Sequence, residues 1–545
     1  MLKRYFSICF VLFAIITHAQ PGKPKEINNQ KDTVKSKVIT QENFLYILAA
    51  DKQYLQKTDS NQLVSYAGHV KVRQGKTLFY ADSAIINPVA NSLESFGNVH
   101  INDADSVHTY ADYMKYLGNN KKAYLRKKVK LTDGLGVLTT DSLDYDVSIK
   151  LGQYNKGGKL VRNKTVLKSV EGFYYGITRD VIFRKKVELI DPESTIITDT
   201  LEYNTYSQLT NFISPTKIIN GSRIIKTSNG NYNLGTKKGY LYERSVIDDS
   251  TYIFTADEMA IDDSLGLGEF RGNALYKSKD SLSFDMIANH IKTNRSKGVL
   301  LATELPTLLI KQKKDTLFIS ADTLFSAKIS DLKRPMPQVR DVPVVNTDSS
   351  LDKYFEAFHN VKIYSDSLQA KCDSLFYGLA DSTIRLITQP IVWSNENQIT
   401  GDTIYMFVNN KQPEQLNVIN NAFAINKVDT TQYFNQIKGT RLKVWFEDGS
   451  ISKMQTKGGA ENLYFVLDDE KKFIGVNHST AQIMEIEFEN SEPAKVKFVN
   501  QLQGKMNPLN KTVPEDLILR GFKWQESIRP KSKFEILSPS SSKPL

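Results

Sequence analysis

The residues able to do chemistry in this chain are few, and their spacing does not suit it. Of seven histidines, His18 lies in an apolar leader; His69, His100, His108, His290, His359 and His478 are scattered. No pair has the H-E-x-x-H spacing that sets two imidazoles on one helix face around zinc. Gly75-Lys76-Thr77 matches the end of a phosphate-binding loop, but that loop needs a glycine five residues before Gly75, where Val70 stands. There is no Gly-x-Ser-x-Gly elbow to present a serine. Cys9 belongs to the leader, and Cys372 fills a small-residue slot in a repeat, which argues for packing rather than nucleophilic work. The acidic pairs Asp103/Asp105 and Asp248-Asp249 read as turns between strands. No catalytic residue, metal or cofactor is assigned.

The leader, residues 1–19, joins Lys3 and Arg4 to an apolar run from Phe6 to Ile16 and small residues around Ala19, as a secretory signal does. The run is short for a bilayer span, and no later stretch approaches the roughly 20 apolar residues of a transmembrane helix. The mature chain is therefore expected to be soluble. With Cys372 alone it forms no internal disulfide, so packing and backbone pairing must stabilise it. Removing Lys3 and Arg4 takes two from the net charge of +11 and leaves +9. That surplus suits an anionic partner, and for an exported chain phosphorylated lipid or an anionic membrane surface ranks above nucleic acid. It equally suits lysines that keep a long β protein soluble and guard its edges.

Two short phrases recur in step. The first is a strand with apolar residues at alternate positions: Gly68-His69-Val70-Lys71-Val72, Gly97-Asn98-Val99-His100-Ile101, Lys127-Lys128-Val129-Lys130-Leu131, Lys185-Lys186-Val187-Glu188-Leu189, Gly272-Asn273-Ala274-Leu275-Tyr276 and His359-Asn360-Val361-Lys362-Ile363. The second is a small residue followed by Asp and alternating apolar residues, at Asp82, Asp112, Asp141, Asp199, Asp257, Asp322, Asp373 and Asp402. From the first phrase's Val to the second's Asp the count is 12 or 13, and successive Asp positions lie 29, 30 or 58 apart except around Asp322, which follows Asp257 by 65. A period of about 29 residues follows. The interval from Asp322 to Asp373 is 51, and its excess coincides with a stretch holding Pro335, Pro337 and Pro343, read as an inserted loop.

Alternation at period two marks strands with one buried face, and Asn119-Asn120, Asp133-Gly134, Gly157-Gly158 and Asn229-Gly230 mark turns. Such strands can cover their apolar face as two facing sheets or as a solenoid. Each repeat is expected to hold three short strands. About fourteen repeats would extend on the order of 100 Å. The recurrent Asp is expected at a corner, its carboxylate accepting bonds from backbone N–H groups.

The leader, the Gly-x-Val-x-apolar strands and the Ala-Asp-x-apolar phrase 12 residues on together resemble the OstA-like family, most clearly from Ser65 to Tyr145 and again to Asn409. The resemblance implies an all-β fold, an elongated, twisted, V-shaped β-jelly roll with an apolar groove that carries the acyl chains of lipopolysaccharide. By motif position Val70, Val72, Val99, Ile101, Val129, Leu131, Val187, Leu189, Val361 and Ile363 would line the groove. Lys71, Arg73, Lys128, Lys130 and Lys362 would offer phosphate contacts. The implied partners are lipopolysaccharide or a related acylated lipid, inner- and outer-membrane components of its transport, and further copies stacked end to end; the implied location is the periplasm, with the outer membrane adjacent. The chain departs from small family members in its length and lacks an aromatic-girdled run of barrel strands.

The organisation read from sequence is a signal peptide at 1–19, a lead-in at 20–45, OstA-like jelly roll at 46–330 and 353–465 around an inserted loop at 331–352, a C-terminal β segment or cap at 466–537, and a disordered tail at 538–545. Phe522 and Trp524 are expected either to cover the last strand edge or to dock a partner. A structural or adhesive β-repeat with a closed core remains the alternative to a lipid carrier. A polysaccharide-acting β-helix enzyme would need carboxylates gathered on neighbouring rungs, whereas the recurrent Asp residues are spread evenly.

Overall fold

The computed structural model describes residues 44–537 except 58–61, 280–283, 312–314, 335–350, 410–411, 429–430, 448, 469, 471 and 490–491. The signal peptide, nearly all of the lead-in, most of the inserted loop and the C-terminal tail lie outside the described residues. The described residues belong to one compact unit. Its strands belong to a single hydrogen-bonded sheet, and every described pairing is antiparallel between strands close in sequence, as expected of successive hairpins.

What bends the sheet is a recurrent two-against-one bulge. Between strands Gln62–Gln74 and Thr77–Asn87, Ala67 faces Ser83 and Val70 faces Ala81, so Gly68 and His69 stand against Asp82 alone. Gly97-Asn98 oppose Asp112, Lys127-Lys128 oppose Asp141, Lys185-Lys186 oppose Asp199, and His359-Asn360 oppose Asp373 in the same way. Both bulge residues have positive φ in each case. The strand turns sharply there without leaving the ladder. Glycine suits the first position for two reasons. At Gly97, φ is +73° and an added Cβ would lie 2.4 Å from Asp82 Oδ2; at Gly272, φ is +70° and the clash would be 2.8 Å from Asp257 Oδ2.

The Asp residues do occupy corners, but their partners differ from those expected. Their carboxylates accept mainly from side chains of the bulge: Asn98 Nδ2 to Asp82 at 2.9 Å, Asn273 Nδ2 to Asp257 at 2.6 Å, Asn360 Nδ2 to Asp322 at 2.9 Å and Asn421 Nδ2 to Asp402 at 3.0 Å. The backbone takes the opposite role, with the N–H of Asp257, Asp322 and Asp402 donating to the carbonyls of Gly272, His359 and Asn420. The repeat also differs from three short strands. Because the bulge preserves pairing through the corner, 29 residues make one hairpin of two long bent strands, such as Gln62–Gln74 with Thr77–Asn87 and Ser92–Asp103 with Val107–Leu117.

Each bent strand has two limbs. One, here the valine limb, runs from the corner to hairpins near Gln74, Asp103 and Thr132; the other, the tyrosine limb, runs to hairpins near Asn87, Leu117 and Asp146. Their inward side chains pack together: Phe79 of the valine limb meets Tyr116 of the tyrosine limb at 4.6 Å between ring centroids, and Phe254 stacks on Phe270 at 4.0 Å. A single buried apolar cluster extends from Val70 to Met484.

Past Asn507 the chain turns back across the outer face of the valine limb. Three glutamines in one lateral row bind it. Gln436 donates to Leu517 O at 3.0 Å and accepts from Leu519 N at 2.8 Å; Gln398 donates to Lys523 O and accepts from Gln525 N, both at 2.7 Å; Gln369 Oε1 accepts from Arg529 at 2.8 and 2.6 Å. Between them Trp393 is fully buried, and Phe522 and Trp524 lie 5.3 and 5.2 Å from Phe434. Phe522 and Trp524 therefore cover a sheet face rather than a strand edge, because that face carries Trp393, Phe423, Ile425 and Leu463 where other hairpins carry polar residues. Before the inserted loop, Ile329 and Leu332 pack against Ala327, Tyr354 and Phe376.

Candidate functional site: the apolar seam between the limbs

Register carries one inward position across the valine limb without a break. Val72 faces Phe79, then Ile101, Thr109, Leu131, Leu138, Leu160, Leu167 and Leu189 in turn. The same row continues through Ile196, Ile218, Ile225, Ile247 and Phe254 to Tyr276, Met286, Leu308, Ile319 and Ile363, and ends at Ala370, Val392, Ile399, Ala424 and Ile437. At about 4.8 Å per strand step the row runs on the order of 100 Å along the sheet. Alternation makes it so: each strand must bury every second residue, and the shared corner holds those residues in line.

The ten residues assigned by motif to a groove all face this interior. Val70, Val72, Val99, Ile101, Val129, Leu131, Val187, Leu189, Val361 and Ile363 are between 0 and 2% exposed. In the structure they are packed against the other limb, and a lipid among them would have to part the limbs. The interior is less covered at its two ends. Leu55, beside Val64 on the first hairpin, is 60% exposed, and Val496, beside Ile486 on the last, is 45% exposed.

The five basic residues are spread over the outer face. Lys71 lies over the Tyr80 ring at 5.3 Å and Lys130 over Tyr110 at 5.5 Å, with His100 stacked between those rings at 5.3 and 4.4 Å. Burial and the neighbouring His108 hold the His100 imidazole below its usual range. Lys128 stands at a corner and pairs with Asp112 at 3.4 Å, Lys362 faces Lys371, and Arg73 sits at a limb tip beside the hairpin. These side chains are not gathered at one place.

A second inward row, on the tyrosine limb, is absent from the sequence reading. Tyr116, Ala123, Tyr145, Gly152, Tyr174, Val181, Tyr203, Thr210 and Tyr232 follow one another across the sheet. Its tyrosines recur every 29 residues, alternating with smaller residues that leave room for the rings. All five are buried. Their hydroxyls point toward the limb tips, where the two limbs are tied together.

Tyr116 donates to Gln74, whose amide donates to Gly118 O at 3.2 Å. Tyr145 donates to Asp103 at 2.8 Å, and Asp103 also accepts from Thr77 at 3.2 Å. Asp133 accepts from Thr205 at 2.9 Å, Arg162 donates to Tyr206 O at 3.3 Å, and Lys237 pairs with Glu193. The series ends in a two-pronged pair, Arg223 to Asp263 at 2.6 Å for both bonds, with Tyr232 donating to Asp263 at 3.2 Å. Burial, then the charge of Asp103, raises the Tyr116 and Tyr145 hydroxyls above the usual phenol range; burial, then Asp263, does the same for Tyr232.

Farther along, the limbs meet through apolar groups. Phe284 sits edge-on to Phe355 at 4.7 Å, with Lys353 over its ring at 5.6 Å. Near the last hairpins a cavity opens between the limbs, walled by Ala424, Ile437, Met454, Ile486 and Phe488 and rimmed by Asn397, Asn426, Asn435 and Asn462. Among the described residues no three His, Cys, Asp or Glu side chains come together as a metal site would require. Cys372 is buried in its corner, donates to Ser374 O at 3.3 Å and has its thiol pushed up to about 12 by burial. No helix among the described residues is long and apolar enough to cross a membrane.

Comparison with known proteins gives no match among curated sequences. Among solved structures, the chain is similar to LptH of Pseudomonas aeruginosa, the LptA-homologous periplasmic component of the conserved lipopolysaccharide transport device. That match has 15% identity over 30% of this chain and 76% of that one, with a TM-score of 0.14, too low to carry a structural argument. The family model for OstA-like proteins matches residues 42–199 and 173–257 in two overlapping segments. Through that match, residues 42–257 belong to the OstA-like family.

Proposed function

We propose that this protein carries an acylated lipid of the lipopolysaccharide class across the periplasm, holding its acyl chains along the seam between the limbs. The observation that carries the reading is the inward row from Val72 to Ile437, apolar at every strand except that of Thr109, within an interior less covered at its two ends. An acyl chain in water costs about 0.8 kcal/mol per exposed methylene, and a continuous apolar lining removes that cost at every step of a transfer. The OstA-like match over residues 42–257 supports the same class of work. The protein acts without chemistry of its own. Its ends meet membrane-bound transport components or another copy, and the outward lysines Lys71, Lys130 and Lys362 with Arg73 and Lys128 meet lipid phosphates.

The test is capture in cells. Photo-crosslinking residues at Val99 and Leu131 are expected to trap lipopolysaccharide, and one at the outward His100 to trap much less; equal yields at all three would overturn the reading. A second reading, a structural β-repeat with a dry core, is favoured by the near-complete burial of the ten lining residues. It predicts no lipid on protein purified gently from cells.

A further inference from the structure

The cavity at the C-terminal end of the seam differs in chemistry from everything before it. Its far wall continues the apolar interior: Ala424 and Ile437 are 8 and 5% exposed, and Met454 is 5% exposed on the opposite limb. Beyond Ile437 the row of inward aliphatic residues stops, and register puts Asn462 and then Ser479 in its place. One step nearer the limb tip, Asn397, Asn426 and Asn435 lie in one inward row. Asn426 Nδ2 donates to Asn397 at 3.1 Å, Asn435 Nδ2 donates to Asn426 at 3.3 Å, and Asn435 Oδ1 accepts from Phe465 N at 2.9 Å. This amide ladder is anchored at both ends by backbone, since Asn397 Nδ2 donates to Ser394 O at 3.2 Å. Among the described residues no charged side chain lines the cavity.

Resting on the lipid-carrier reading, we infer that this cavity is a binding site for one acyl chain bearing near its head a neutral group that both donates and accepts hydrogen bonds, such as a hydroxyl or amide. The apolar wall takes the chain. The amide rim supplies both donors and acceptors to the head, which a phosphate or free carboxylate does not require and which, without a cation, would leave its charge uncompensated. The site lies where the limb tips meet through apolar contacts, so a chain enters from the side without breaking the hydrogen-bonded ties at Gln74 to Asp263.

Two experiments on the full-length protein test this. Purified protein is titrated with a fluorescent acyl probe, and the probe is then displaced by hydroxytetradecanoyl or tetradecanoyl methyl ester. The hydroxylated chain is expected to displace it at about tenfold lower concentration, a preference worth about 1.4 kcal/mol. Paired Asn426→Ala and Asn435→Ala should abolish the preference. Equal displacement by both chains in the unaltered protein would overturn the assignment of the rim. In cells, a photo-crosslinking residue at Phe488 should capture lipid more strongly than one at Val99, and Ala424→Phe should reduce that capture. Capture at Val99 and Leu131 but none at Phe488 would overturn this site and leave the carrier reading standing. Capture at none of the three would overturn the carrier reading itself.

Discussion

The seam is closed in two ways along its length. From Gln74 to Asp263 the limb tips are joined by buried polar groups: tyrosine hydroxyls, a glutamine, carboxylates and one arginine. From Phe284 onward the contacts described between the limbs are made by rings and aliphatic groups, with Lys353 laid over Phe284, and near the last hairpins the limbs part around an amide-rimmed cavity. The difference teaches where the seam resists opening. An apolar contact parted by an acyl chain is replaced by another apolar contact at little net cost, whereas a buried polar tie parted by the same chain leaves donors and acceptors unmet, at about 1–3 kcal/mol each.

The largest effect should come from breaking the charged tie. Side chains of Arg223 and Asp263 are 7 and 8% exposed, so Arg223→Met leaves a buried carboxylate without its cation and is expected to lower stability by about 3–5 kcal/mol, read by denaturant unfolding. The double change Arg223→Met with Asp263→Leu should recover most of that loss. Failure to recover would mean that the pair is not a self-contained tie. Next in size, Tyr145→Phe strips Asp103 of its 2.8 Å donor and should cost about 1–3 kcal/mol, with faster amide exchange confined to hairpins of the tied half.

The same contrast has a pH signature. In Tyr116, Tyr145 and Tyr232 the folded hydroxyl titrates above the ordinary value of 10.0, because burial and then a nearby carboxylate oppose the phenolate. A group raised on folding stabilises in full below its unfolded value and loses that contribution as pH climbs beyond it. Above about pH 10 the tied half should therefore open first, with tyrosinate absorbance rising together with unfolding rather than ahead of it. Absorbance that climbs while the far-ultraviolet signal holds would contradict the burial of the ladder. Asp133 works at the other end of the scale. Burial pushes its carboxyl up, but the N–H groups of Gly136 and Leu135 and the Thr205 hydroxyl outweigh this and hold it below 3.8. Its contribution is complete above that pH and is lost as pH falls through the lowered value, so Asp133→Asn should flatten the acid limb of the stability curve. The smallest effect belongs to the other half: Asn435→Ala should cost about 1 kcal/mol or less, since the rim is only part-buried.

Much of this was legible in the chain. The valine phrase fixes which residues face inward, since Val70, Val99, Val129, Val187 and Val361 all end at 0 to 2% exposure. The Asp phrase marks the corner, because only there does inward parity change, from Ala81 to Ala84 across Asp82 and Ser83. What escapes the sequence depends on twist and on distant packing. Tyr116 to Tyr232 keep the same 29-residue interval as the valines, but a spacing does not reveal that the rings reach across to the other limb. Their partners Gln74 and Asp103 each lie 42 residues upstream, three bent strands away, and that offset is set by how strongly the sheet coils rather than by any local signal. The part played by Phe522 and Trp524 was equally hidden. It depends on Gln369, Gln398 and Gln436 falling in one row, which only pairing register can align.

The bent hairpin has an implication for size. Each one accepts a neighbour on one edge and offers the same pattern of donors, corner and inward residues on the other. Whole hairpins can therefore be gained or lost without disturbing those that remain, each changing the span by two strand spacings, or about 9.6 Å. A one-residue slip within a strand would instead carry its inward side chains to the other face and turn its greasy side to water. Such an architecture measures distance in fixed increments, like a ladder sold by the rung, and a lineage that needed a wider gap bridged could reach it by tandem duplication alone.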